Sequence, residues 1–198
     1  AMGSAAWHYL KRARGNRVFF EQVVELPRWT EEQLGTLIRA RCAEASIEPS
    51  FEGLVVPRQV DQLTNPDEQR TEAGYYRLLW DFSRGNPAVT LHAFRESLFV
   101  DPEGQIVVRL FREPAAKEIE GLSLPLLFVL RAVVQLDVAR EHEVIAATHL
   151  PAPDVSDALR FCLTRGYLER YDAGVRLTWP WYRTITAVLY RQHLLSAP

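Results

Sequence analysis

The most constraining feature of the chain is the run Leu-Pro-Leu-Leu-Phe-Val-Leu-Arg-Ala-Val-Val-Gln-Leu at residues 124–136, whose single charge is Arg131. Its spacing predicts a helix that is apolar nearly all round, and such a helix has to lie at the centre of a core. It is too short to cross a bilayer, and no other apolar run reaches the roughly 18 residues a span needs. A central helix requires neighbours on several sides, and the residues after it supply them. A second helix is expected over 139–148. A third begins near Asp154, places Val155, Ala158, Leu159, Cys162 and Leu163 on one face, and ends at Gly166. Tyr167 to Tyr171, the turn Asp172-Ala173-Gly174, and Val175 to Thr178 alternate as a β-hairpin. A last helix is expected over 180–195.

The first half is patterned differently. Ala1-Met2-Gly3-Ser4 reads as a cloning scar. Arg17 to Leu26 is rich in β-branched and aromatic residues and reads as an extended stretch, broken by Pro27. Thr30-Glu31-Glu32-Gln33 is a capping box, in which the Thr hydroxyl takes an amide near Gln33 and Gln33 reaches back. The helix it starts lines up Leu34, Leu37, Ile38, Cys42 and Ala45, and Pro49 ends it at the latest. Gln62 to Gln69 reads as a loop. A helix over 71–83 carries Tyr75, Leu78, Leu79 and Phe82 in phase. Gly85 then serves as a left-handed cap, and Asn86-Pro87 restarts a helix with Leu91, Phe94 and Leu98 inward. Phe99-Val100 and Ile106 to Phe111 read as strand–turn–strand, and 113–121 as a linker with a domain boundary.

Composition narrows the function classes. Hydrophobic residues make up 47% and charged residues 24%, which excludes wholesale disorder. The 23 basic residues are balanced by 25 acidic ones, so the whole chain is not a basic nucleic-acid coat. Cys42 and Cys162 are far apart on apolar faces and read as reduced core fillers, not as a disulfide or a thiolate metal site. With no secretory signal opening the chain, a cytoplasmic location is expected, and tethering of a longer parent to a membrane stays open.

No complete catalytic signature is present, neither a phosphate-binding Gly-rich loop nor a nucleophile elbow. His142-Glu143 starts like a zinc-protease motif, but residue 146 is Ala. His142 and His149 read as surface or capping groups, and no metal is expected. Lys11, Arg12, Arg14 and Arg17 form a local basic cluster, read as part of a connection, with a phosphate or acidic-lipid contact as the sharper option. The most informative short motif is Ser83-Arg84-Gly85-Asn86-Pro87. A helix starting there presents free backbone amides and a positive dipole end, suited to an anion or a polar base edge; the same spacing also suits a plain helix–helix corner.

A resemblance weighs on that choice. Val24-Glu25-Leu26-Pro27 followed by Trp29-Thr30-Glu31-Glu32-Gln33-Leu34 resembles the end of an AAA+ or STAND-type ATPase core entering its helical lid. Trp80-Asp81-Phe82-Ser83-Arg84-Gly85-Asn86-Pro87 resembles the lid's Gly-x-Pro motif, which lies beside bound nucleotide. The later order helix–helix–helix–hairpin–helix is that of a winged helix, an elaborated helix-turn-helix, which usually follows the lid in STAND and origin-recognition-like ATPases. The resemblance implies a mainly α fold with small β elements. It divides the chain into the end of a core or connector at 5–29, a lid-like module with a hairpin at 30–115, and a winged helix at 121–198. It places Arg84, Gly85, Asn86 and Pro87 near nucleotide in a longer parent that carries Walker A and B, binds ATP or ADP with Mg, and packs its core on this region. The chain alone is then no enzyme. The helix position where many lids carry a sensor arginine is Ala88, so Arg84 or Arg95 is left as the substitute.

The winged-helix order invites a DNA reading, and charge argues against its strongest form. Residues 121–198 carry eight Arg, no Lys and seven acids. The third helix opens with Asp154 and is expected to expose Asp157, Arg160, Phe161 and Thr164, with acids facing phosphate. A protein partner or a second copy of the chain is therefore preferred over duplex DNA, with Arg160, Phe161, Arg165 and Arg176 as the candidate contact surface. Three classes stay open: a regulatory part of a nucleotide-driven ATPase, a DNA-binding module, and a scaffold without a nucleotide role.

Overall fold

The computed structural model describes residues 3–14, 20–54 and 72–195. The chain order is α1 (Ser4–Arg14), α2 (Glu31–Glu44), α3 (Glu72–Ser83), α4 (Pro87–Glu96), β1 (Leu98–Val100), β2 (Ile106–Val108), α5 (Ala116–Glu120), α6 (Leu124–Leu136), α7 (Glu141–Thr148), α8 (Ala152–Thr164), β3 (Leu168–Tyr171), β4 (Gly174–Leu177) and α9 (Trp179–Arg191). Among the described residues the protein is mainly helical with two small antiparallel sheets. It splits into a continuous unit, Glu25–Arg112, and a discontinuous unit made of Ala1–Val24 and Glu113–Pro198. The expected loop Gln62 to Gln69 lies outside the described residues.

In the continuous unit the capping box forms as expected. The Thr30 amide donates to Gln33 Oε1 at 2.9 Å, and the Gln33 amide donates to Thr30 Oγ1 at 3.2 Å. Helix α2 buries Leu34, Gly35, Ile38 and Cys42, whereas Ala45, expected on that face, is exposed at the helix end. Gly35 packs closely, since a Cβ there would lie 3.0 Å from the Tyr76 ring, which would have to give by a few tenths of an ångström. The core is aromatic: Tyr75 sits with Phe51, Tyr76, Phe94 and Phe111 around it. The Tyr75 hydroxyl donates to Ser97 Oγ at 2.6 Å, and Ser97 Oγ donates to the Ala93 carbonyl at 2.8 Å, so both buried hydroxyls are satisfied. Strands β1 and β2 pair in the register Leu98↔Val108, Phe99↔Val107, Val100↔Ile106, and Ser50 bridges the far side of β2 at Val107.

The discontinuous unit is organised around α6, which touches α1, α7, α8, α9 and β4. Leu127, Val129, Leu130, Ala132 and Val133 are buried, as an all-round apolar helix requires. Helices α7 and α8, the β3–β4 hairpin and α9 follow in the expected order. The hairpin pairs Leu168↔Leu177 through Tyr171↔Gly174, with Asp172 at φ 51 in its tight turn. The sequence did not announce a further strand-like residue: Ala139, between α6 and α7, bridges Val175 antiparallel, with reciprocal 2.9 Å backbone bonds. Gly174 permits this approach, because a Cβ there would lie 2.7 Å from the Ala139 carbonyl oxygen. Cys42 and Cys162 are buried free thiols, each in the core of its own unit.

Three expectations need correction. Of residues 17–26, read as extended with strand-like alternation, 17–19 lie outside the described residues, 20–26 join no strand, and Val24 and Leu26 are 74% and 90% exposed. Among the described residues each sheet is built from its own hairpin, with Ser50 bridging β2 and Ala139 bridging β4, and this segment pairs with neither. Residues 5–14, read as connector, are helical, and α1 packs on α6 with Ala5 against the core. The linker 113–121 contains α5, whose Ile119 is fully buried; α5 packs on α9, and Glu120 and Arg191 pair at 2.5 Å. The apolar spacing Ala116, Ile119, Leu122 carried that signal over too short a span to be read as a helix.

Candidate functional site

The Arg84–Pro87 corner lies wholly within the continuous unit. Arg84 and Gly85 are both left-handed, at φ 53 and 75. This pair turns the chain sharply out of α3, and the Arg84 amide donates to the Trp80 carbonyl at 2.8 Å. Asn86 caps α4: its Oδ1 accepts from the Ala88 and Val89 amides at 3.0 and 3.3 Å. Pro87 has no amide hydrogen. The free amides expected at this helix start are therefore already taken, which corrects the basis of the anion reading. Gly85 is also covered. The Trp29 amide donates to its carbonyl at 3.3 Å, Trp80 Nε1 donates to the Trp29 carbonyl at 2.9 Å, and a Cβ on Gly85 would lie 2.6 Å from that same oxygen. What the corner offers outward is the exposed side chain of Arg84. Arg95, the alternative, is exposed near His92 and Glu96, at 3.4 and 3.3 Å.

The four candidate contact residues of the discontinuous unit do not converge. Arg160 is exposed and ion-paired with Asp157 one turn away on α8. Phe161, expected to be exposed, is half-buried with its ring edge-on to Tyr167 at 6.3 Å, because Tyr167 and Trp181 cover that flank of α8. The Arg165 guanidinium lies 5.5 Å from the Phe161 ring centre. Arg176 is on another face: its Nε donates to Glu169 at 2.7 Å, and its guanidinium stacks 3.8 Å from the Tyr171 ring centre.

Two concave features surround these residues. A groove of about 870 Å³ runs between the start of α7, α8 and the hairpin turn, and Arg140, Arg160 and Arg170 line it together with Glu141 and Asp172. Arg140 and Arg170 were missed by sequence reasoning; the hairpin register pairs Arg170 with Val175 and so puts both on one face of the hairpin. The second feature is a cleft of about 150 Å³ at the end of α6, bounded by Tyr171, Trp179, Tyr182, Arg176, Asp137 and Val133. Asp137 ends α6 at φ 67, ψ −63, and the Val138 amide closes a three-residue turn onto the Leu136 carbonyl at 2.9 Å. That is the rare, strained form of the γ-turn, and a non-glycine residue there costs about 1–3 kcal/mol.

The titrating groups that depart from their ordinary values are buried tyrosines and thiols. Burial pushes Tyr75 up to about 12, opposed by its Ser97 hydrogen bond, and pushes Cys162 up to about 12. Tyr76 is raised by burial and by the Glu72 carboxylate it bonds at 2.5 Å. These are neutral core groups at physiological pH, not activated nucleophiles. His142 is exposed, and His149 is the left-handed cap that ends α7. Among the described residues no three His, Cys, Asp or Glu side chains group as metal ligands, and no helix is long and apolar enough to cross a membrane. No family model matches the chain, and no curated protein or solved structure matches it.

Proposed function

We propose that this chain is a regulatory, protein-contacting region of a nucleotide-driven ATPase of the AAA+ or STAND type, with a lid-like continuous unit and a winged-helix discontinuous unit. It performs no turnover itself; ATP or ADP with Mg belongs to the parent's core, which is its first partner, with a second copy as another and the cytoplasm as its setting. The topology around Ala139 supports the winged-helix part. Ala139, between the first and second helices, adds a single antiparallel bridge to β4, beside a helix–helix–helix–hairpin–helix order that is that of the fold. Support for the lid part rests on the sequence resemblance at Val24 to Leu34 and Trp80 to Pro87, and at the corner it narrows to Arg84.

The observation that carries the choice of a protein partner is the charge pairing around α8 and the hairpin. Arg160 is paired with Asp157 on the surface of α8, Asp154 and Glu141 sit at the starts of α8 and α7 and Asp172 in the hairpin turn, and on another face Arg176 is paired with Glu169. A phosphate backbone approaching this face would meet acids as often as free arginines. One observation favours the duplex reading instead: Arg140, Arg160 and Arg170 share a single groove beside the third helix and the hairpin turn, where a winged helix meets DNA. Titration of labelled duplexes by anisotropy separates the two. The expected outcome is affinity no tighter than the non-specific range of about 10⁻⁴–10⁻⁶ M at physiological salt. Nanomolar binding to a defined site would move the assignment to DNA. For the nucleotide part, Arg84→Ala in the parent should weaken nucleotide binding with the melting temperature unchanged; unchanged affinity would remove Arg84 from that role.

A further inference from the structure

The cleft at the carbonyl end of α6 combines features that the charge-pairing argument does not use. Three of its walls are aromatic: Tyr171, Trp179 and Tyr182. Ring faces carry negative electrostatic potential and attract organic cations. One cation already occupies such a wall, since the Arg176 guanidinium lies 3.8 Å from the Tyr171 ring centre and 5.5 Å from that of Trp179. Its charge is answered by Glu169 at 2.7 Å. The Asp137 carboxylate at the cleft's edge is solvent-exposed, takes part in no hydrogen bond or ion pair among the described residues, and stands where the α6 dipole is itself negative. An acid at a helix C-terminus is electrostatically unfavourable, and this one also holds a strained left-handed backbone. Both costs fall on one residue beside three aromatic rings, and an organic cation at the cleft would relieve the electrostatic one.

We propose that this cleft binds the alkylammonium head of a lysine side chain on a partner protein. The carboxylate of Asp137 and the last carbonyls of α6 supply the negative field, and Tyr171, Trp179 and Tyr182 supply ring faces around the stem and head. A volume of about 150 Å³ accommodates one such head, bare or methylated, and not a peptide backbone. The burial of Tyr182, whose phenol is raised above its usual value by burial and by the Tyr190 and Asp137 charges, keeps that wall neutral at all physiological pH values. The identity of the cation's bearer rests on the protein-contact reading; the subsite itself does not.

The test uses small probes on the full chain, followed through its five tryptophan indole N–H signals, with Trp179 assigned by Trp179→Phe. Butylammonium and butyltrimethylammonium chloride stand for bare and methylated lysine, and n-pentanol is the neutral control. Binding of either cation is expected to shift the Trp179 signal selectively, with a Kd in the millimolar range and at least about tenfold tighter than the alcohol. Whichever cation binds tighter names the lysine form. Asp137→Asn is isosteric and leaves the γ-turn with a side chain of the same size, so it should fold with an unchanged melting temperature and weaken the cation by roughly fivefold or more. Equal binding of the alcohol, an unchanged affinity in Asp137→Asn, or shifts spread over all five indoles would overturn the proposal. Those failures leave the duplex titration untouched, so they are distinguishable from failure of the protein-contact reading.

Discussion

The discontinuous unit fills its core with Leu, Ile and Val from five helices, α5 to α9, and a hairpin, whereas the continuous unit centres on Tyr75 and the rings of Phe51, Tyr76, Phe94 and Phe111. Aliphatic packing is non-directional, so its cost is carried by volume and area. The aromatic core adds a directional element, the buried Tyr75–Ser97–Ala93 hydrogen-bond chain. The first kind of core fails when volume is removed. The second also responds to proton chemistry and to the fit of backbone turns around it.

The largest expected effect is on the aliphatic side. Leu130 is fully buried on α6, and Leu130→Ala should cost about 2–5 kcal/mol. Melting followed by the indole signals of Trp181 in that unit and Trp80 in the other should show only the first moving to lower temperature. A common shift would mean that the two cores do not melt separately.

Alkali probes the aromatic side. Tyr75 titrates near 10 unfolded and about 12 folded, so the neutral form is favoured by folding. Its contribution is complete below pH 10 and is lost as pH rises towards 12, amounting to roughly 2–3 kcal/mol. Denaturant midpoints measured by Trp80 fluorescence should fall across that window in wild type and fall less in Tyr75→Phe. An identical fall in the variant would remove Tyr75 as the cause.

Backbone fit comes next. Gly85→Ala places a Cβ 2.6 Å from the Trp29 carbonyl at φ 75, and a loss of about 1–3 kcal/mol is expected in the continuous unit. The smallest effect has the opposite sign. Asp137→Gly releases the strained turn and should raise the stability of the discontinuous unit by up to about 1 kcal/mol while weakening the cation response. A variant that is destabilised would make Asp137 a structural necessity.

These differences also explain what could be read in advance. The all-round apolar pattern of 124–136 announced α6, and the Thr30–Gln33 box and the Asn86-Pro87 pair announced the starts of α2 and α4, because each is a local signal. The hairpin was legible from alternation and its turn. Three features were not local. Val23, Val24 and Leu26 have strand composition, but pairing needs an available edge, which composition does not supply. Ala139 became a strand residue only because Gly174 lets it approach β4. The aromatic cleft joins residue 137 to residues 171–182, and nothing in their spacing announces that meeting. At the Arg84–Pro87 corner the turn and cap were read correctly, but Asn86 takes the amides that an anion would have needed.

The protein-contact assignment is tested most directly by the salt dependence of duplex binding. Each phosphate neutralised by a free Lys or Arg adds about 0.9 to the slope of log K against log salt. With Arg160 paired to Asp157 and with Glu141 and Asp172 beside Arg140 and Arg170 in the groove, binding should be weak at physiological salt and show a slope of about 3 or less. Tight binding to a defined duplex with a slope of about 6 or more would contradict it and make the α8–hairpin groove a DNA-binding face.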